Sequence, residues 1–285
     1  MKLLAPAKIN IGLRVIRKRS DTYHDIETVF YPIHLADELE IIESDKHEFY
    51  SNIHLEADAN LCLKALHFFC ERTGINAEVK MVLNKNIPIG SGLGGGSSDA
   101  AAVLLALQEL YGKPLCEIEL HDIAVQLGAD VPFFLSRKNA SGNRAPSYAT
   151  GKGEVIEPID LNITDFILTV TPNLSVSTAT AYSLVKPTGV KRKLLRDVLL
   201  DLGNRYDAYK DVVVNDFETE ILKKFPTIGE IKAEMYKQGA QFALMSGSGS
   251  SIYGFFGTKE DAIEAQEILN RKFTLQATDI TPPHN

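Results

Sequence analysis

Hydrophobic and polar positions alternate near the start of the chain. Ile9, Ile11, Leu13 and Val15 fall on one side, and Lys8, Asn10, Gly12 and Arg14 on the other, which predicts a half-buried β-strand. The stretch ETVFYPIHLADELEIIE predicts two more strands with a turn between them. In DANLCLKALHFFCERTG the period lengthens. Leu61, Ala65, Leu66 and Phe69 share one face, with Asp58 or Asn60 near the N-cap and Gly74 past the end, so a helix is expected. NAEVKMVLNKN alternates again, with Val79, Met81 and Leu83 in phase. Two helices follow, from about Ser98 to Tyr111 and from about Leu115 to Leu127, the second stopping at Gly128.

Residues Ser136 to Gly153 are polar and broken by Gly and Pro. That stretch predicts a boundary between a domain over residues 1–153 and another over 154–285. Beyond it FILTVTP reads as a strand, with helices near Ala179–Leu184 and Leu194–Leu199, one ending near Phe225, and one in TIGEIKAEMYKQG. ALMSGSGSSIYGFFG reads as strand, glycine turn and strand, and KEDAIEAQEILNRK as a helix. Helices and strands mix in both halves, so the class is α/β, of the α+β kind.

Composition narrows the setting. The 285 residues are 45% hydrophobic and 24% charged, as in globular proteins with one large core or two ordinary ones. A net charge of −7 argues against work on nucleic acid or an anionic membrane. The basic cluster KRKLLR, Lys191 to Arg196, reads as a solvated helix face. Three cysteines (Cys62, Cys70, Cys116) without a C-x-x-C suit a reducing compartment rather than a disulfide scaffold or zinc ribbon, and the first two read as small core residues. The start, MKLLAPAKIN, lacks the apolar run of a signal peptide, and no stretch reaches the ~18 apolar residues of a membrane span. A cytoplasmic protein is expected.

The chemistry concentrates in NIPIGSGLGGGSSDAAAVLLAL, Asn86 to Leu107, where five of the seven residues Gly90–Gly96 are glycine. Gly90, Gly92 and Gly95 match G-x-G-x-x-G. A dinucleotide fold would then need a strand ending in an acid about 20 residues on, and Glu117 and Glu119 lie in a helical pattern instead. A Walker A loop would end in G-K-[ST], and this loop has no lysine. What fits is a general phosphate cradle of inward backbone N–H groups, backed by the helix that begins near Ser98. Asp99 in its first turn would complement the helix dipole. A second glycine turn, Met245–Ser251, reads alone as a tight hairpin. Lys8 and Asn10 share a strand face about 7 Å apart, and Lys8 could supply cationic help. Asp130, in QLGADVPFFL, is a turn residue or, if it faces a cleft, a general base beside a lysine.

Four collinear stretches, APAKINIGLRV, SDTYHDIETVFYPI, PIGSGLGGGSSDAAAVL and LGADVPFFL, supported by MSGSGSSIYGFF, resemble the GHMP kinases. The Lys8 strand with Tyr23-His24 and LGADVPFF narrows the resemblance to the branch acting on a cytidine-diphosphate derivative of methylerythritol. The resemblance implies two domains, ribosomal-protein-S5-like and then ferredoxin-like, with the active site in the cleft between. It implies phosphorylation of a tertiary C2 hydroxyl by ATP with Mg²⁺, in non-mevalonate isoprenoid synthesis. Asp130 would be the general base and Lys8 its partner. Pro88, Gly90, Ser91, Gly92, Leu93, Gly94, Gly95, Gly96, Ser97 and Ser98 would hold ATP, with Asn60 and Lys85 at adenine and Ser98 a ligand of Mg²⁺ or phosphate. Tyr23 would stack on cytosine and His24 hydrogen-bond its edge. Thr178 and Tyr182 would contact the substrate, and Asn10 would hold its methylerythritol end. The protein would be a monomer or weak homodimer. Rivals are a GHMP kinase for another small alcohol and a non-catalytic nucleotide binder. The chain departs from the family in Ser91, where Gly or Ala is commoner, and in a long segment after Asp130 that would reshape the cleft mouth or form a flap.

Overall fold

The structure, a computed structural model, describes residues 1–136, 145–187 and 192–283. The first half is a six-stranded sheet with helices on one face. Its elements are β1 (Lys2–Lys18), β2 (His24–Glu43), β3 (Glu48–Ser51), α1 (Leu61–Thr73), β4 (Val79–Asn84), α2 (Gly95–Leu110), α3 (Glu117–Leu127), α4 (Val131–Leu135), β5 (Ser147–Thr150) and β6 (Val155–Pro158). The second half holds β7 (Phe166–Pro172), α5 (Thr178–Leu184), α6 (Leu195–Leu202), α7 (Tyr209–Val212), α8 (Glu218–Lys224), α9 (Pro226–Lys237), β8 (Phe242–Met245), β9 (Ile252–Phe256), α10 (Lys259–Lys272) and β10 (Leu275–Thr281). Its antiparallel sheet runs β10-β7-β9-β8, the order of a ferredoxin-like split βαβ pair.

β2 organises the first sheet. It is one 20-residue strand, not the two strands and turn expected. Asp37 is buried within it, and its carboxylate is satisfied by Lys85 and by the N–H groups of Asn86 and Ile87. β1 pairs along the length of β2, which also pairs with β4 and then β5. β5 and β6 carry this sheet on to Pro158, so it continues past residue 153, where the domain boundary was expected. Part of the stretch expected to be irregular is thus strand; residues 137–144 lie outside the described ones.

β1 is not half-buried, because every residue from Ala7 to Val15 is buried. One core joins Phe30, Leu39 and Ile41 to α1 and α2. Another joins Ile9, Ile11 and Tyr31 to α6, Tyr209, Phe242 and Phe255 of the second half. A third fills the space between the second sheet and α8, α9 and α10. α2 is buried on nearly all sides, which its Ala-rich sequence permits. The C-terminal strand β10 and the short edge strand β3 were not anticipated. KRKLLR is solvated as expected at Arg192 and Lys193 but is helical only from Leu195, where α6 begins; Arg192 pairs with Asp216, Lys193 with Asp201 and Arg196 with Glu157, while Lys191 lies outside the described residues.

The two halves are joined by a buried polar bond. Glu27 accepts from Arg14 (3.1 Å), from Tyr148 Oη (2.8 Å) and from the N–H of Leu195 (2.6 Å). Arg14 also donates to the Lys193 carbonyl at 2.6 Å. Removing one side of such a pair strands a buried charge. Glu27→Ala is therefore expected to lose about 3–5 kcal/mol of unfolding free energy in urea; a loss under about 1 kcal/mol, the range of exposed pairs, would contradict this.

Candidate active site

A cleft of about 820 Å³ opens between the two halves. At its floor is Lys8, whose side chain is only 4% exposed. A buried ammonium needs partners, and it finds three. It donates to Asn10 Oδ1 at 2.7 Å and to the Gly92 carbonyl at 3.1 Å, and it lies 3.4 Å from Asp130 Oδ2. Asn10 is held in turn by Thr28, which accepts from its Nδ2 at 2.9 Å. Asp130 stands just before α4 and is 32% exposed, so its carboxylate is the more accessible of the pair in the cleft.

The glycine loop wraps over Lys8. Gly92 has φ +81°, and a Cβ there would lie 2.2 Å from the Ser246 carbonyl. The second glycine turn is a hairpin, as its sequence suggests, but it also packs against the first loop. Ser246 Oγ donates to the Gly92 carbonyl (3.0 Å), and the Ser251 N–H donates to the Ser91 carbonyl (3.0 Å). α2 starts at Gly95, three residues earlier than expected, so its unpaired N–H groups come from the loop itself. Ser98, the expected ligand of Mg²⁺ or phosphate, has a buried hydroxyl that donates to the Pro6 carbonyl at 2.7 Å, while Ser97 lines the cleft. Asp99 lies in the second turn, and its carboxylate takes Lys85 at 2.7 Å rather than capping the dipole. Leu93 is a core residue whose carbonyl accepts from the Lys8 N–H. Ser91 Oγ is tied to the Pro88 carbonyl at 2.7 Å.

Asn60 and Lys85 both line the cleft, each with part of its side chain already engaged. The Lys85 ammonium is shared between buried Asp37 and Asp99. Asn60 caps α1, accepting from the Cys62 N–H at 2.9 Å, and only its buried Nδ2 lacks a partner. Burial, with Asp37 close by, pushes the Asp99 carboxyl up to about 7 against the pull of Lys85.

At the other end, His24 stacks on Tyr182 with centroids 4.8 Å apart. At this spacing no base lies between the two rings. Tyr182 packs edge-on against Phe217, and burial, helped by the charge of Asp130, pushes its phenol up to about 12. Tyr23 is 57% exposed at the rim, with the Lys152 ammonium 4.6 Å from its ring centroid. Thr178 opens α5, and its hydroxyl lies 3.4 Å from Ser248 Oγ.

Comparison with known proteins places this geometry. Residues 60–138 match the GHMP kinases N terminal domain and residues 199–275 the GHMP kinases C terminal domain. The 4-diphosphocytidyl-2-C-methyl-D-erythritol kinase of Azobacteroides pseudotrichonymphae is 43% identical over 254 residues, covering 88% of this chain and 91% of that one. That of Chlorobaculum tepidum is 39% identical, covering 96% and 95%. A crystal structure of 4-(cytidine 5'-diphospho)-2C-methyl-D-erythritol kinase superposes with a TM-score of 0.81 at 34% identity, covering 99% of both chains. The chain belongs to the 4-diphosphocytidyl-2-C-methyl-D-erythritol kinase family.

For this family member the structure adds residues that sequence reasoning missed. Asp37 anchors the stem of the glycine loop, Thr28 orients Asn10, and Ser246 binds the loop to the second half. A buried acid in an apolar strand is the signal that marks Asp37; a lone threonine or serine gives none. Methanococcus jannaschii mevalonate kinase shares the fold, with a TM-score of 0.65 at 17% identity.

Two outcomes are expected here. Gly92→Ala, by pushing the loop off Ser246, lowers kcat/KM about 100-fold without unfolding the chain; activity within threefold would show that the loops need not touch. Asp99 has a folded value above its unfolded one, so it holds its proton more tightly when folded. Its contribution to stability is full below the ordinary 3.8 and is lost as pH rises toward about 7. The stability difference between wild type and Asp99→Asn therefore changes across that window, and a flat difference by urea titration would contradict the shift.

Proposed function

We propose that the protein transfers the γ-phosphoryl group of ATP to the C2 tertiary hydroxyl of 4-(cytidine 5'-diphospho)-2-C-methyl-D-erythritol, giving the 2-phosphate and ADP for non-mevalonate isoprenoid biosynthesis. The observation that carries the reading is the Lys8–Asp130 contact of 3.4 Å, set between a glycine cradle and an aromatic cleft end. The cradle takes the triphosphate on backbone N–H groups and the α2 terminus. Mg²⁺ would be held by the triphosphate, with phosphate oxygens and water as most of its ligands; Ser98 is buried beside Pro6, and Ser97 is the serine of this turn that lines the cleft.

A tertiary alcohol is crowded and weakly acidic, so its proton needs a positioned acceptor. Asp130 takes that proton as the C2 oxygen bonds to the γ-phosphorus. The bond from that phosphorus to the β–γ bridging oxygen breaks, and its electron pair leaves with ADP. Lys8 holds Asp130 at the reacting oxygen and offsets the charge gathering there. Asn10, fixed by Thr28 and Lys8, is placed for the methylerythritol end. Tyr23, His24, Thr178 and Tyr182 form the cytidine end, and Asn60 Nδ2 offers the nucleotide base a donor. The likeness of the relatives over nearly the whole chain supports the same substrate.

ADP release from Mg-ATP is the test, with the cytidyl substrate, mevalonate and homoserine in parallel. Turnover is expected with the cytidyl compound alone. Turnover of another alcohol would discard the cytidine end, and no ADP with any would discard the kinase. Asp130→Asn should lose at least about 100-fold in kcat with ATP affinity kept; near-normal kcat would remove Asp130 as base. Tyr23→Ala should raise the KM for the cytidyl substrate about tenfold, and that for ATP far less. Equal effects on both would place Tyr23 outside the cytidine end.

A further inference from the structure

Three lysines line the cleft among the described residues: Lys8, Lys85 and Lys152. The first two are matched by carboxylates. Lys152 makes no ion pair with a described residue and rests over the Tyr23 ring at 4.6 Å. Asp21, which feels its charge, is held chiefly by Arg19, with both carboxylate oxygens 3.1 Å from Arg19 Nε.

The position of Lys152 is built rather than accidental. It sits at the tip of the β5–β6 hairpin. The Gly151 carbonyl accepts from the Ile26 N–H of β2 at 2.7 Å, the Lys152 N–H donates to Glu154 Oε2 at 2.5 Å, and the Gly153 N–H donates to the Thr150 carbonyl at 3.0 Å. Next along the chain, a Cβ on Gly153 would lie 3.7 Å from Asp130 Oδ1. The hairpin tip therefore reaches from Asp130 on one side to Tyr23 on the other.

The covalent order of the substrate supplies the rest. It runs base, ribose, diphosphate, methylerythritol. With the base at Tyr23 and His24 and the C2 hydroxyl at Asp130, the diphosphate must lie between them, where Lys152 is. We infer that Lys152 is the cation that grips the substrate's diphosphate, making the cleft select a cytidine diphosphate over the bare nucleoside. The inference rests on the function proposed above. A lysine suits the task as a compact point charge that needs no fixed fork geometry. Lys18, whose charge His24 feels, is exposed and outside the cleft lining.

The test is calorimetric binding of CDP and of cytidine, with the nucleotide site filled by a non-hydrolysable ATP analogue. Wild type should bind CDP at least about tenfold tighter than cytidine, the scale of a charge-assisted contact. Lys152→Ala should lose most of that margin while cytidine affinity moves little, Lys152→Arg should restore it in part, and Lys18→Ala should keep it. In turnover, Lys152→Ala should raise the KM for the cytidyl substrate and not for ATP. A margin that survives Lys152→Ala overturns the inference and leaves the proposed function standing. Equal weakening of CDP and cytidine would mean that Lys152 only props Tyr23, and a raised KM for ATP alone would mean that it serves the nucleotide; either overturns it. A wild type that binds neither CDP nor cytidine overturns the cytidine end and this inference together.

Discussion

The buried ammonium of Lys8 is the constraint on which the rest of the site depends. A charge at 4% exposure is tolerable only with close partners on several sides. Its partners come from three places in the chain: Asn10 on β1, Gly92 in the glycine loop and Asp130 before α4. One side chain therefore fixes the phosphate cradle, the base and the alcohol end relative to one another. The same demand explains why β1 is covered on both faces. A half-exposed strand would leave Lys8 in water, where it would hold none of them.

A second buried cation sets the base of the loop. Lys85 ends up between Asp37 on β2 and Asp99 on α2, and Asp37 also takes the N–H groups of Asn86 and Ile87. The loop thus leaves the sheet from a charged anchor and returns over Lys8. The turn after β8 closes it from above through Ser246 and Ser251. A loop held in place in this way needs little reorganisation when an anion arrives, which suits a site for phosphoryl transfer.

Much of this was legible in the chain. Strict alternation, caps and glycine stops placed α1, β4, α3 and the β8–β9 hairpin, because those segments obey local rules. The glycine loop announced a cradle, and Lys8 and Asp130 stood out as a charge in an apolar strand and an acid before an apolar run. What failed was governed by tertiary contacts. β2 runs unbroken through its buried Asp37 because Lys85 is beside it. Asp99 falls in the second turn rather than the first because α2 starts inside the glycines, where helix propensity is poorest. β10 pairs only with β7, far away in sequence, and its half-buried pattern is weak. The stack of His24 on Tyr182 joins residues more than 150 apart in the chain, and no local rule reaches it.

In the proposed function the cleft is ordered along its length, with triphosphate cradle, base and lysine, and aromatic end in sequence. That order would dictate which oxygen is phosphorylated, since the molecule that spans it would present one hydroxyl to Asp130. The most direct measurement is a proton-coupled ³¹P spectrum of the product made from Mg-ATP and the cytidyl substrate. Phosphate on the tertiary C2 oxygen has no hydrogen on the attached carbon, so the new phosphomonoester signal should be a singlet. A triplet or doublet would place the phosphate on a primary or secondary oxygen and contradict the assignment of Asp130 to the tertiary alcohol.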